Sequence, residues 1–332
     1  MKTQRKILAI AISIILYLSF ADIIIPFDPI ASPDKQNLSN LPPFSKAYEL
    51  TFETGEKIFV LNYRIYDGFI YYDQKFSSGK IEIKKLKKIK TLLFIFGTDN
   101  LGRDVLSRTI YGGKFSLIIG ILSSLFAFLM GTFVGTISGY FGGIIDKILM
   151  RATDVFLAFP KLFLILVIVA FIPNQTIFSL ILILSLLNWM SIARFVRAEF
   201  LRLKEMEFIL ALESIGLPGL RIAMKHILPN AIAPALINIP LMVGDIILTE
   251  SILSFLGFGI QPPTPTWGNM ISEAEKSLIS TWWLPILPGI LISGTVLIMN
   301  WISDITFESR TRCTLQANPR IRLPFDFLTS LF

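Results

Sequence analysis

Asp245 and Glu250 stand five residues apart in a run that is otherwise almost wholly apolar. A carboxylate inside hydrocarbon is costly and generally serves a solute path, an ion path or a proton relay. This pair is therefore the main candidate for chemistry within the chain. Other reactive types are sparse. There is one histidine, His226, with no carboxylate, cysteine or second histidine nearby in sequence, and one cysteine, Cys313. An intrachain disulfide and a Cys/His metal cluster are both excluded. The glycine-bearing stretches 97–102 (GTDNLG) and 112–116 (GGKFS) lack the Lys-Ser/Thr ending of a phosphate-binding loop, so the chain has no nucleotide site of its own. The expectation is a non-enzyme without metal or cofactor.

The elements that would hold these residues are membrane helices. Of 332 residues, 53% are hydrophobic and 17% charged, below the quarter or so usual in soluble domains. Mean hydropathy is +0.65. Apolar runs long enough to cross a hydrocarbon core recur. They fall at about 7–25, 116–139, 155–172, 177–195, 231–255 and 284–303. The net charge of +7 fits basic cytoplasmic loops, not nucleic acid.

Charge asymmetry orients the spans. The loops 140–154 and 196–230 and the tail after Asp304 hold most of the arginines and lysines of the second half. The intervening loops hold almost none. The positive-inside rule then predicts six spans with both termini, and Cys313, cytoplasmic. Residues 26–96 would lie outside. Their Tyr, Phe, Ile and Val content, with turn residues at Gly55, Asp67-Gly68 and Ser78-Gly79, predicts a small β-rich insertion. The expected organisation is a tail and first helix (1–25), the insertion (26–96), a core with five further spans (97–304) and a C-terminal tail (305–332).

One inside segment is neither span nor plain loop: LALESIGLPGLRIAMKHILPN, residues 210–230. Glu207–Ile215 reads as a short helix, with Gly216 suited to the left-handed position after it. Pro218 suits the first turn of a second helix. That helix carries Leu220, Arg221, Ile222 and Met224 and is expected to end before Pro229. It is too short to span and too apolar to be solvated, so it wants a groove on a partner or a lipid surface.

Here the residues reach a known family. A cytoplasmic-loop glycine followed at a fixed gap by Leu228-Pro229 resembles the coupling loop, or EAA motif, of ABC importer permeases. GTDNLGRDVLSRTIYGGKFSL (97–117), GYFGGIIDKILMRATDVFLAFP (139–160), KHILPNAIAPALI (225–237), ESILSFLGFGIQPPTPTWGNM (250–270) and WWLPILPGI (282–290), with Asn300 and Asp304, resemble the C-type subunit of the peptide/nickel permease family. The motif's Glu-Ala-Ala falls on Leu210, Ala211 and Leu212, so its glutamate is missing.

The resemblance implies an all-α polytopic permease, importing oligopeptides or dipeptides across the bacterial inner membrane. It implies ATP bound by cytoplasmic ATPase partners, a sister permease in a heterodimer, and an extracytoplasmic substrate-binding protein. Ala211, Gly216, Leu220, Arg221, Ile222, Met224, Leu228 and Pro229 would form the ATPase-coupling loop, with Leu220, Ile222 and Met224 as its docking surface. Asp245, Glu250, Phe255, Gly257, Gly259, Pro263 and Trp267 would line the translocation path or outer gate. The rival expectation is a proton-coupled secondary transporter using Asp245 and Glu250.

Overall fold

A computed structural model describes residues 13–14, 16–172, 175–275 and 277–317, with side chains to residue 308. Residues 13–14 and 16–24 form the described part of a first helix, α1. It lies along α2 (Val105–Phe141), where the Tyr17 hydroxyl donates to the Ile110 carbonyl at 2.5 Å and Asp22 pairs with Lys114 at 2.6 Å.

Between them lie six strands: β1 (Ser45–Phe52), β2 (Lys57–Val60), β3 (Asn62–Tyr66), β4 (Phe69–Asp73), β5 (Ser78–Glu82) and β6 (Leu86–Phe94). They make two antiparallel sheets, ordered β2-β1-β6 and β3-β4-β5. Leu50, Val60 and Ile70 fill the core between the sheets. The β3–β4 turn uses Asp67 and Gly68, both at positive φ (50° and 75°), the backbone that a two-residue hairpin requires. Ser78-Gly79, expected as a turn, instead begins β5. The Tyr72 ring lies across Gly79, where a β-carbon would sit 2.2 Å from the Tyr72 hydroxyl.

The helical part depends on α2, 37 residues long and about 55 Å from end to end, well beyond a hydrocarbon core of about 30 Å. At its N-terminal end Asp99, Arg103, Arg108 and Glu273 form one ion network. Arg103 reaches Asp99 at 2.7 Å and Glu273 at 2.9 Å, and Arg108, fully buried, reaches Glu273 at 2.9 Å. Asp104 caps α2 by accepting from the Ser107 N–H at 2.8 Å.

The remaining helices are α3 (Gly143–Ala158), α4 (Lys161–Ala170), α5 (Ile177–Leu186), α6 (Trp189–Lys204), α7 (Glu207–Ser214), α8 (Gly219–Ile222), α9 (Leu228–Ala235), α10 (Asn238–Phe255), α11 (Trp267–Glu275) and α12 (Trp283–Ala317). Among the described residues three helices are long and apolar enough to cross a membrane: α2, α10 and Trp283–Glu308 of α12. Two further pairs qualify only jointly: α3 with α4, bent by 88°, and α5 with α6, bent by 40°.

This corrects the expected spans. The run 155–172 is broken before Lys161, because Pro160 cannot donate to the preceding turn and disfavours helix at Phe159. The run 177–195 breaks at residues 187–188. The run 231–255 divides into α9 and α10 around residues 236–237.

Candidate functional site

Close backbone packing positions the site. Gly131, Gly135 and Gly139 fall on one side of α2, and α6 lies against them. A β-carbon at Gly135 would sit 2.5 Å from the Ala193 carbonyl oxygen, and one at Gly131 2.5 Å from that of Trp189. Small residues at this four-residue spacing let membrane helices approach closely. Arg197 then ties α6 to Asp146 of α3 at 2.5 and 2.6 Å. The C-terminal half of α6 is thereby held in a fixed direction along α2, and α7 and α8 follow from it.

That segment ends α7 in a Schellman arrangement. The Leu217 N–H donates to the Leu212 carbonyl at 3.2 Å and the Gly216 N–H to that of Glu213 at 2.9 Å. Gly216 has φ 82°, and a β-carbon at this position would meet nothing within 4 Å, so backbone conformation, not space, calls for glycine there. Phe200, Leu203, Ile209, Ile222, Ala223, Ile227 and Ala231 form a buried cluster beneath the turn.

Two expectations change here. Ile222, expected on the docking surface, is 1% exposed because it faces this cluster. The second helix does not end before Pro229 but continues into α9 through a π-helical turn, Ala223–Ile227. The wider turn relieves the clash a proline ring makes with the preceding turn. The outward face consists of Leu220 and Met224, as expected, with Phe208, Leu210 and Ile215, which the sequence reading missed; all five are exposed. Ala211, Arg221 and Pro229 are exposed with them, and Leu228 is half-buried.

Asp245 and Glu250, expected on one face, point in different directions, since five residues turn an α-helix by about 140° net. Glu250 is fully buried. It accepts from Ser254 at 2.8 Å and Thr266 at 2.9 Å. Thr266 in turn starts α11, its hydroxyl accepting from the Asn269 N–H at 3.2 Å. Glu250 thus pins the Gly- and Pro-rich connection to α11.

Asp245 is exposed, on a stripe with Leu241, Leu248, Ile252 and Phe255. Lys161 meets it at 2.5 Å and also donates to the Asn188 side-chain oxygen at 2.8 Å. Gly257 and Pro263 are exposed on the connection, and Gly259 is packed against Ser254. Trp267, expected at the outer gate, is buried. Its indole N–H donates to the Thr109 carbonyl at 3.0 Å and its backbone N–H to Ser116 at 3.1 Å, so it fastens α11 to α2.

With this geometry in place, comparison with known proteins decides the family. The family described as "Binding-protein-dependent transport system inner membrane component" matches residues 131–311. The chain belongs to this family. The dipeptide transport system permease protein DppC of Bacillus subtilis (strain 168) is 38% identical over 210 residues, covering 63% of this chain and 65% of the relative. The oligopeptide transport system permease protein OppC of Haemophilus influenzae is 38% identical over 209 residues, 63% of this chain and 67% of the relative. The matched stretch is thus just under two thirds of the DppC length. In a solved structure of the MetNI methionine ABC transporter, one chain is similar over 61% of this chain and 96% of its own, at 19% identity and a TM-score of 0.46.

Membership in this transport family, an inner-membrane and non-enzymatic one, leaves the proton-coupled secondary transporter without support. The sequence reading also overlooked two sets of residues. The glycines 131, 135 and 139 had a legible signal, a repeated four-residue spacing. Lys161 had a fainter one, a lysine directly after Phe-Pro and before an apolar run.

Proposed function

We propose that this chain is the C-type membrane subunit of an ATP-driven importer of oligopeptides or dipeptides, working by alternating access. The 205–230 segment is its coupling element. ATP binds to separate cytoplasmic ATPase subunits, a sister permease completes the pore, and an extracytoplasmic substrate-binding protein delivers solute at the connection 256–266 and α11. The chain crosses the membrane six times with both termini inside, the two bent pairs counting as one span each. The β-rich insertion 26–96 lies outside.

The observation that carries this reading is the shape of the 205–230 segment. Its inner face is tied into a buried cluster continuous with α6 and α9, while its outer face leaves Phe208, Leu210, Ile215, Leu220 and Met224 exposed. An exposed apolar patch on a braced support is suited to receive a partner. Because the support runs from α6 into α9, which leads directly into α10, movement of the partner is transmitted to the stripe that carries Asp245. The peptide substrate is supported by the names of the relatives.

The test is copurification and uptake. Leu220→Asp with Met224→Asp is expected to leave membrane levels unchanged, release the ATPases and abolish peptide uptake. If the ATPases stay bound and the segment instead becomes detached from lipid vesicles, it is an interfacial helix and not the coupling element.

A further inference from the structure

The Lys161–Asp245 pair lies where a membrane protein has reason to avoid charge, and three separate elements place it there. Under the six-span reading just proposed, on which this inference rests, Ala170, Ile177 and Phe255 mark the outer ends of α4, α5 and α10. At 1.5 Å of rise per residue, Lys161, Asn188 and Asp245 stand about 14, 17 and 15 Å along the chain from those ends. That is the middle of a hydrocarbon core about 30 Å thick. Both helix breaks, the 88° bend before Lys161 and the 40° bend at 187–188, fall at this depth. Interrupted helices at the midplane are sites where polar solutes are held in membrane carriers.

The pair is not sealed within the chain. The Lys161 side chain is 36% exposed and that of Asp245 57%, whereas the other carboxylate of α10, Glu250, is fully buried. A half-open ion pair at the midplane cannot face lipid tails without large cost. It needs water, a solute or a protein partner beside it. Cation, anion and amide are presented together: an ammonium on Lys161, a carboxylate on Asp245 and the Asn188 side chain bridging toward Lys161.

We propose that Lys161, Asn188 and Asp245 form a midplane binding station for solutes bearing a free ammonium and a free carboxylate, such as short peptides with unblocked termini. The solute ammonium pairs with Asp245 and its carboxylate with Lys161, so one ion pair is exchanged for two. Between passages Lys161 and Asp245 neutralise each other. A solute with only one charge would break the pair and leave one of its members uncompensated, which disfavours its entry.

The experiment uses membrane vesicles holding the complete transporter: both permeases, the ATPases and the binding protein. Uptake is measured for a dipeptide with free termini, its N-acetyl form and its C-terminal amide. The binding protein is common to all variants, so a change in the ratio of free to blocked uptake reports on the permease. Lys161→Met should lower uptake of the free dipeptide about tenfold or more, the weight of a charge-assisted hydrogen bond, and lower the C-terminal amide much less. Asp245→Asn should do the same relative to the N-acetyl form.

Unchanged ratios in both variants would overturn the station. So would an equal fall for all three solutes with loss of the sister permease on purification, which would make the stripe a subunit interface. Wild-type vesicles that take up no dipeptide at all would instead sink the peptide reading itself, and this inference with it.

Discussion

Gly216 and Ile222 lie six residues apart and answer to different physical constraints. Gly216 has open space around it but a φ of 82°. A β-branched residue there is strained by about 1–3 kcal/mol. Gly216→Val is therefore expected to reach the membrane in normal amount yet lose ATPase copurification and uptake, while Gly216→Asn, which tolerates left-handed dihedrals, retains both in large part. Ile222 is buried among Phe200, Ile209 and Ile227. Ile222→Asp puts a charge into that cluster at a cost of several kcal/mol, so the expected outcome is a reduced membrane level by immunoblot. Equal membrane levels for Ile222→Asp and wild type would show that the cluster does not brace the segment. Arg221→Ala, exposed and outside the cluster, should be mild on every readout.

At the scale of elements, the contact between α2 and α6 is set by backbone approach. Gly131, Gly135 and Gly139 leave no room for side chains against Trp189, Ala193 and Phe200. Gly135→Leu must push α6 outward, since the nearest obstacle is a backbone carbonyl and not a flexible side-chain end. Overpacking of this kind costs about 1–3 kcal/mol or more. The expected results are a lower unfolding temperature in detergent and reduced uptake. Phe133→Leu, on the exposed side of the same helix, should leave both unchanged. A Gly135→Leu protein with wild-type thermal stability would argue that the two helices are not held at this distance.

For the whole molecule the issue is topology. Cys313 is the only cysteine and lies in α12; the six-span reading places it on the cytoplasmic side. A membrane-impermeant maleimide should label it in opened cells and not in intact ones. A protease added to spheroplasts should cut within 26–96 under the same reading, for instance at the exposed lysines 84–90 of the strand-rich region. Labelling of Cys313 from outside, with that region protected, would invert the orientation.

Much of this protein was legible in its sequence because bilayer physics acts locally. Long apolar runs, basic inside loops and the Gly216-Leu217-Pro218 punctuation each depend on residues close in the chain. The positive φ at Gly216 and the helix ending at Ser214 follow from the same local rules. Other features needed distant partners. Hydropathy cannot separate one straight span from two short helices meeting at a bend, so the breaks around Pro160 and residue 188 were not visible as such. Nor could it say which apolar side chains of 206–224 turn inward: Ile222 and Met224 look alike in sequence, and only the cluster around Phe200 distinguishes them. The pairing of Lys161 with Asp245, 84 residues apart, and the bracing of α11 by Glu250 through Thr266 were decided by the packing of α4, α10 and α11. Side chains on separate helices meet only where tertiary packing brings those helices together.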